Sequence, residues 1–84
     1  MKFKDERPYA EPEIAARKLL DLVRASIAES GQPHAYTGSV NSAFLKDGGS
    51  VDEYIAGRKY ATDRKWFEID RSGTRIMLLP DGAE

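Results

Sequence analysis

The chain has 84 residues, of which 40% are hydrophobic and 32% are charged, and it contains no cysteine. This composition is typical of a globular protein and argues against both a disordered chain and a membrane protein. A chain of this length encloses one modest core, so we expect a single domain over residues 11–82 behind a charged N-terminal arm over residues 1–10. The lack of cysteine excludes disulfides, thiolate nucleophiles and thiolate zinc sites.

The net charge is −1, which gives the protein as a whole no long-range attraction for polyanions. Any binding to nucleic acid must therefore come from a local basic patch. The charged start, residues 1–8, lacks the apolar stretch of a secretory signal, and no segment approaches the roughly 18 apolar residues of a membrane helix. We expect a cytoplasmic protein without a membrane segment.

Apolar residues at helical spacing predict a first helix over residues 12–29. Pro12 suits the first turn of a helix, while Gly31 and Pro33 are typical of a helix end. The core-facing residues of this helix are predicted to be Ala16, Leu19, Leu20, Val23 and Ile27.

Residues 32–38 combine proline, threonine and glycine around Ala35 and Tyr36, which indicates a linker or a very short strand. A second, shorter helix is predicted to begin with Ser39 as its cap and to end at Gly48 and Gly49. Its core-facing residues would be Val40, Ala43 and Phe44, with Leu45 on the flank.

Ser50 and Glu53 have the spacing of a capping box, which predicts that a third helix begins there. The apolar residues predicted to share the buried face of this helix are Val51, Tyr54, Ile55 and Ala61. Arg58 falls in the middle of that face, so either its stem reaches out from the edge of the core or the helix is rotated from this assignment.

Strand character follows over residues 66–70, where Phe67 and Ile69 share a face. Residues 71–74 predict a turn, residues 75–79 a return strand halted by Pro80, and residues 81–84 a polar tail. The predicted fold class is therefore α+β, mainly α, with three helices followed by a C-terminal β-hairpin.

The sequence from Ser50 to Gly82 resembles the third helix and the wing of winged-helix (winged helix-turn-helix) domains. The residues that carry the resemblance match an alanine, a tryptophan, a leucine and a glycine that are common in that superfamily: Ala61, Trp66, Leu79 and Gly82. Two residues depart from the pattern, because Lys65 stands where glycine is frequent and Arg58 where an apolar residue is usual.

In winged-helix proteins that bind DNA, the third helix lies in the major groove and the wing contacts the backbone or the minor groove. The resemblance implies a DNA-binding, transcription-regulatory role with these candidate contact residues: Arg58, Lys59, Tyr60, Arg64, Arg71 and Arg75. The cations are also compatible with an ordinary solvated surface, although residues 58–75 hold six basic side chains against three acidic ones. Asp52 and Glu53 would face phosphates unfavourably unless they serve to cap the helix.

The alternative function is a winged-helix module that binds protein or dimerises without binding DNA, which the near-zero net charge favours. Tyr36, Tyr54 and Tyr60 are the candidate contact residues, because tyrosine is enriched in interface cores. A module of this size buries little surface on a duplex, so a DNA-binding form is expected to act as a homodimer or with a protein partner.

Nothing in the sequence indicates an enzyme. His34 is the single histidine and stands in a segment bounded by Pro33 and Gly38, without a neighbouring nucleophile. Asp52 and Glu53 are adjacent on a helix and do not converge on one point. We therefore predict no catalytic residue, no metal site, no cofactor and no small-molecule ligand.

Overall fold

The computed structural model of the protein describes residues 9–83; the predicted arm over residues 1–10 lies outside them except for its last two residues. The elements in chain order are α1 (Pro12–Ser30), β1 (Ala35–Tyr36), α2 (Thr37–Lys46), α3 (Val51–Asp63), β2 (Phe67–Ile69), β3 (Arg75–Leu78) and α4 (Pro80–Ala83). The fold is mainly helical with a small antiparallel sheet, which confirms the predicted class.

Helix α1 agrees with its prediction. Four of its five predicted core residues are buried, Ile27 is partly buried against them, and Ala15 joins the buried set. Gly31 ends the helix in the left-handed conformation, with φ 76°, and donates its N–H to the carbonyl of Ile27 at 2.9 Å. The helix therefore ends where glycine relieves the backbone strain of that conformation.

The sheet has three antiparallel strands in the order β1-β3-β2, with β3 in the centre. Strand β1 pairs Ala35 with Ile76, and β2 pairs Phe67 with Leu78. The sheet is therefore not confined to a C-terminal hairpin, because the segment between the first two helices adds a strand to it. Of the two alternatives for that segment, the very short strand is correct.

Helix α2 begins at Thr37, two residues before Ser39, which was its predicted cap. Tyr36 is the N-cap residue, and Ser39 lies exposed inside the helix, so the prediction that Ser39 caps it is wrong. The start of α2 is set by the hairpin, because Thr37 donates its N–H to the carbonyl of Thr74 and its hydroxyl to the carbonyl of Gly73. Val40 and Phe44 are buried as predicted.

Helix α3 begins with the predicted capping box but is rotated from its predicted orientation. Val51 and Ile55, assigned to the core, are 57% and 49% exposed. Tyr54 and Ala61 are buried as predicted, together with Glu53 and Gly57. The rotation has a steric cause: a Cβ on Gly57 would lie 2.8 Å from the Cβ of Ala15, so α3 approaches α1 most closely along its smallest residue.

The chain after β3 is not the predicted polar tail. Residues 80–83 form α4, and Leu79 donates its N–H to the carbonyl of Trp66 at 3.1 Å. Gly82 is buried against the backbone of Trp66, and the Arg24 side chain donates hydrogen bonds to the Gly82 carbonyl. This segment therefore packs on α1 and on the start of β2.

The core lies between the three long helices and one face of the sheet. Its largest fully buried side chains are Phe44, Phe67, Leu19, Ile76, Val23 and Val40. Tyr9, at the end of the predicted arm, packs its ring 5.0 Å from that of Phe44, centroid to centroid.

Candidate nucleic-acid interface

The three candidate residues on α3 point in different directions. Successive residues of a helix are rotated by about 100°, so Arg58 and Tyr60 flank Lys59 on nearly opposite sides. Lys59 is exposed, whereas Arg58 and Tyr60 are half-buried. Lys59 therefore marks the solvent face of the second half of α3, and the other two residues lie at its edges.

Arg58 lies against Tyr54, with its guanidinium carbon 5.5 Å from the centroid of the tyrosine ring. Burial raises the pKa of the Tyr54 hydroxyl, and the neighbouring Arg58 charge opposes that rise. The charged end of Arg58 therefore lies over the ring of a core residue, and the residue as a whole is half-buried at the edge of the core. Tyr54 itself belongs to the core and is not the exposed contact residue that the protein-binding alternative predicts.

Lys59 forms an exposed salt bridge with Asp63, one turn further along α3, with 3.1 Å between Nζ and Oδ2. Exposed pairs at this helical spacing contribute about 0.3–0.5 kcal/mol, so a phosphate can compete for the lysine. The pairing nevertheless places one carboxylate beside this candidate contact.

Tyr60 belongs to a cluster of two aromatic and two arginine side chains. Its ring is 5.8 Å from that of Trp66 in an edge-on arrangement, and the Arg64 guanidinium lies 4.6 Å above it. On the far side of the cluster, the guanidinium of Arg17 lies 5.3 Å from the Trp66 ring. Stacking on Tyr60 limits the freedom of Arg64 at the end of α3.

Helix α3 ends in a turn with two backbone hydrogen bonds. Lys65 donates its N–H to the carbonyl of Thr62 at 3.1 Å, and Trp66 donates to that of Ala61 at 3.0 Å. These are the bonds of a Schellman motif, in which the residue at the position of Lys65 takes the left-handed conformation. Lys65 has φ 64°, so the passage from helix to strand uses the conformation that glycine favours, although the residue is lysine.

Asp70 organises the turn between β2 and β3. Its Oδ1 accepts hydrogen bonds from the N–H groups of Arg75 and Thr74 and from the Ser72 hydroxyl. These bonds, led by that from the Arg75 backbone, hold the pKa of the Asp70 carboxyl below its ordinary value. The Arg75 guanidinium also lies 3.6 Å from Asp70 Oδ2, whereas Arg71 is exposed and has no acidic partner within residues 9–83.

Of the three acidic residues in the interval 58–75, two are paired with candidate contact residues and the third, Glu68, is exposed in β2. Asp63 and Asp70 pair with Lys59 and Arg75. Glu53, predicted to repel phosphates or to cap the helix, is 6% exposed and accepts the Ser50 N–H in the capping box, so its capping role is confirmed. In the part of the chain that the structure describes, these basic residues of the interval 58–75 have no acidic partner: Arg58, Arg64, Lys65 and Arg71.

Lys65 is the member of this set absent from the predicted contact residues. It counted among the six basic residues of the interval 58–75 and as a departure from the family pattern, but not as a contact residue, since its backbone conformation is not visible in the sequence. The signal that could have identified it is the lysine at a position where glycine is frequent, directly after a predicted helix.

Residues 9–83 contain no group of three or more histidine, aspartate or glutamate side chains placed to hold a metal ion. His34 packs edge-on against Tyr36, with 5.0 Å between the ring centroids. A surface pocket of about 420 Å³ has a mixed lining of basic, acidic and apolar residues: Arg17, Leu20, Asp21, Arg24, Trp66 and Asp81.

Among the described helices, none has the length and apolar character needed to cross a membrane. Comparison with known proteins identifies no relative: no protein-family model, no curated protein and no solved structure matches this chain.

Proposed function

We propose that this protein is a non-enzymatic, cytoplasmic, winged-helix-like module that binds double-stranded DNA through the second half of α3 and the turn between β2 and β3. The order of elements supports the proposal, because three helices lead directly into a hairpin. The stretch that resembles the winged-helix superfamily, Ser50 to Gly82, covers α3 and that hairpin. Lys65, at the position where that superfamily often has glycine, takes the left-handed conformation that glycine favours, which is compatible with the resemblance.

The observation that carries the proposal is the set of four cations without an acidic partner among residues 9–83: Arg58, Arg64, Lys65 and Arg71. Phosphate contacts supply most of the affinity of proteins for DNA, and each cation that neutralises a phosphate releases condensed counterions. A local group of cations can therefore bind DNA even though the whole chain has a net charge of −1.

Each candidate contact then has a distinct role. Lys59, on the solvent face of α3, would approach the base edges, and Arg58 and Arg64 would approach phosphates on either side of the groove. Tyr60 holds Arg64 in place by stacking rather than contacting DNA itself. Arg71 would contact phosphate from the hairpin turn, and Arg75 would do so after exchanging Asp70 for phosphate.

The proposal predicts that Arg71→Ala weakens binding to any duplex sequence without loss of stability. Arg71 is exposed, and we expect the affinity for a fluorescein-labelled random-sequence duplex, measured by anisotropy at about 50 mM salt, to fall about five- to tenfold. Lys46→Ala is the matched control. It removes one exposed positive charge at the last residue of α2, outside both α3 and the hairpin.

Equal binding by wild type and Arg71→Ala would remove the turn from the interface. If Arg71→Ala and Lys46→Ala lost the same affinity for the duplex, binding would depend only on the total charge of the protein. That result would contradict a localised site.

The exposed apolar residues of α3 favour a second candidate, a module that associates with protein or with its own copy. Val51 and Ile55 lie one turn apart and are 57% and 49% exposed. A chain that does not bind DNA, but self-associates in sedimentation and loses that association in Ile55→Ser, would support this function. Self-association together with DNA binding would support a homodimer that binds DNA.

A further inference from the structure

Three helices of this chain end in the same backbone conformation, but with different residues. Gly31 after α1 has φ 76°, Gly48 after α2 has φ 103°, and Lys65 after α3 has φ 64°. Lys65 is the one non-glycine residue with positive φ among residues 9–83. Because the side-chain Cβ crowds the backbone in this conformation, residues other than glycine adopt it at a cost.

The ends of α2 and α3 are equivalent in their hydrogen bonds as well. Gly48 and Gly49 donate to the carbonyls of Leu45 and Phe44, just as Lys65 and Trp66 donate to those of Thr62 and Ala61. The two turns are therefore the same motif, and glycine would satisfy the backbone at Lys65 as it does at Gly48.

Among residues 9–83, no hydrogen bond or salt bridge of the lysine side chain accounts for its place in the fold. It is exposed and forms no salt bridge with an acidic side chain in the described part of the chain. A positive charge can complement the negative end of a helix dipole, as Lys46 does in the last turn of α2, but at the end of α3 the C-cap residue Arg64 already supplies one. Strained residues are often retained for function, so the side chain of Lys65 needs a role outside the fold.

We propose that Lys65 is a phosphate-contact residue of the DNA interface, held at the junction of α3 and β2 by a backbone turn that glycine would form more easily. This inference rests on the proposed DNA-binding function. It adds a phosphate contact at the junction of the groove-facing helix α3 and the hairpin, next to that of Arg64.

The test compares three substitutions at this position by thermal unfolding and by anisotropy with the random-sequence duplex. Lys65→Gly is expected to raise the Tm by a few degrees, about 4 °C or more, because it relieves the backbone. The same substitution is expected to weaken DNA binding about five- to tenfold at about 50 mM salt and to reduce the salt slope by about one. Lys65→Asn, neutral and tolerant of the left-handed conformation, should weaken binding similarly, and Lys65→Arg should bind like wild type.

A Lys65→Gly variant that binds a duplex as tightly as a DNA-binding wild type would overturn the inference and leave the proposed function standing. A fall in Tm would also overturn it, because the lysine would then serve the fold. If wild type shows no salt-dependent binding to the duplex, both the proposed function and the contact assigned to Lys65 are wrong.

Discussion

At the scale of single residues, Gly57 determines how α3 meets α1. A Cβ at this position would lie 2.8 Å from the Cβ of Ala15 and 2.9 Å from its backbone carbonyl carbon. Both distances are shorter than the contacts that real Cβ atoms make, and the backbone of α1 cannot move aside as a flexible side chain would. The orientation of the exposed face of α3 therefore depends on the absence of a side chain at Gly57.

Gly57→Ala is expected to lower the free energy of unfolding by about 1–2 kcal/mol. Alanine favours the helix by up to about 1 kcal/mol, but overpacking against α1 costs about 1–3 kcal/mol. Gly38→Ala is the matched control, because Gly38 also lies in a helix and a Cβ there would meet nothing within 4 Å. We expect the control to raise stability by about 0.5–1 kcal/mol in the same urea titration.

If Gly57→Ala proved as stabilising as Gly38→Ala, α1 and α3 would have room to separate. Gly57 would then not determine the orientation of α3.

At the scale of elements, the sequence predicted the bounds of the helices better than their orientation. Regular apolar spacing and Gly31 located α1, because both signals act within one segment. The face of α3 was predicted wrongly, since Val51 and Ile55 are apolar and Gly57 carries no side chain that a pattern could register. Which residues of a helix approach a neighbour depends on the neighbour, and the sequence pattern does not contain that information.

The elements that depend on tertiary contacts were the hardest to predict. Strand β1 has two residues and exists because β3 pairs with it, and α4 packs against Trp66 and Arg24. Ser39 looked like a helix cap, but the hydrogen bonds from Thr37 to the hairpin start α2 earlier. The hairpin itself was predicted because its turn and its flanking strands are adjacent in the chain.

A pair of serine substitutions tests the assignment of the helix starts. Ser50→Ala is expected to lower the free energy of unfolding by about 1 kcal/mol, because Ser50 Oγ accepts the N–H of Glu53 at 3.2 Å in the capping box. Ser39→Ala should leave stability unchanged or raise it slightly, because Ser39 is exposed within α2 and alanine favours helices. If the two substitutions lowered the free energy of unfolding equally in urea, Ser39 would be the cap of α2 after all.

At the scale of the whole molecule, the proposed DNA binding depends on the positions of the charges more than on the net charge. Sequence reasoning identified the cations of α3 and the hairpin but not which of them have acidic partners, because those pairs depend on geometry. Lys59 pairs with Asp63, and Arg75 pairs with Asp70. Glu53 is buried and forms part of the capping box of α3. Within residues 9–83, four cations without acidic partners lie in the second half of α3, directly after it and in the hairpin turn, although the whole chain has a net charge of −1.

The most direct test of DNA binding through these cations is the salt dependence of the affinity of wild type for a random-sequence duplex. Each neutralised phosphate contributes about −0.9 to the slope of log K against log salt concentration. The four cations without acidic partners therefore predict a slope of about −3.6, or about −4.5 if Arg75 also exchanges Asp70 for phosphate. We expect measurable binding at about 50 mM salt that weakens along this slope. A slope near zero, or no binding at the lowest salt concentration, would contradict the account.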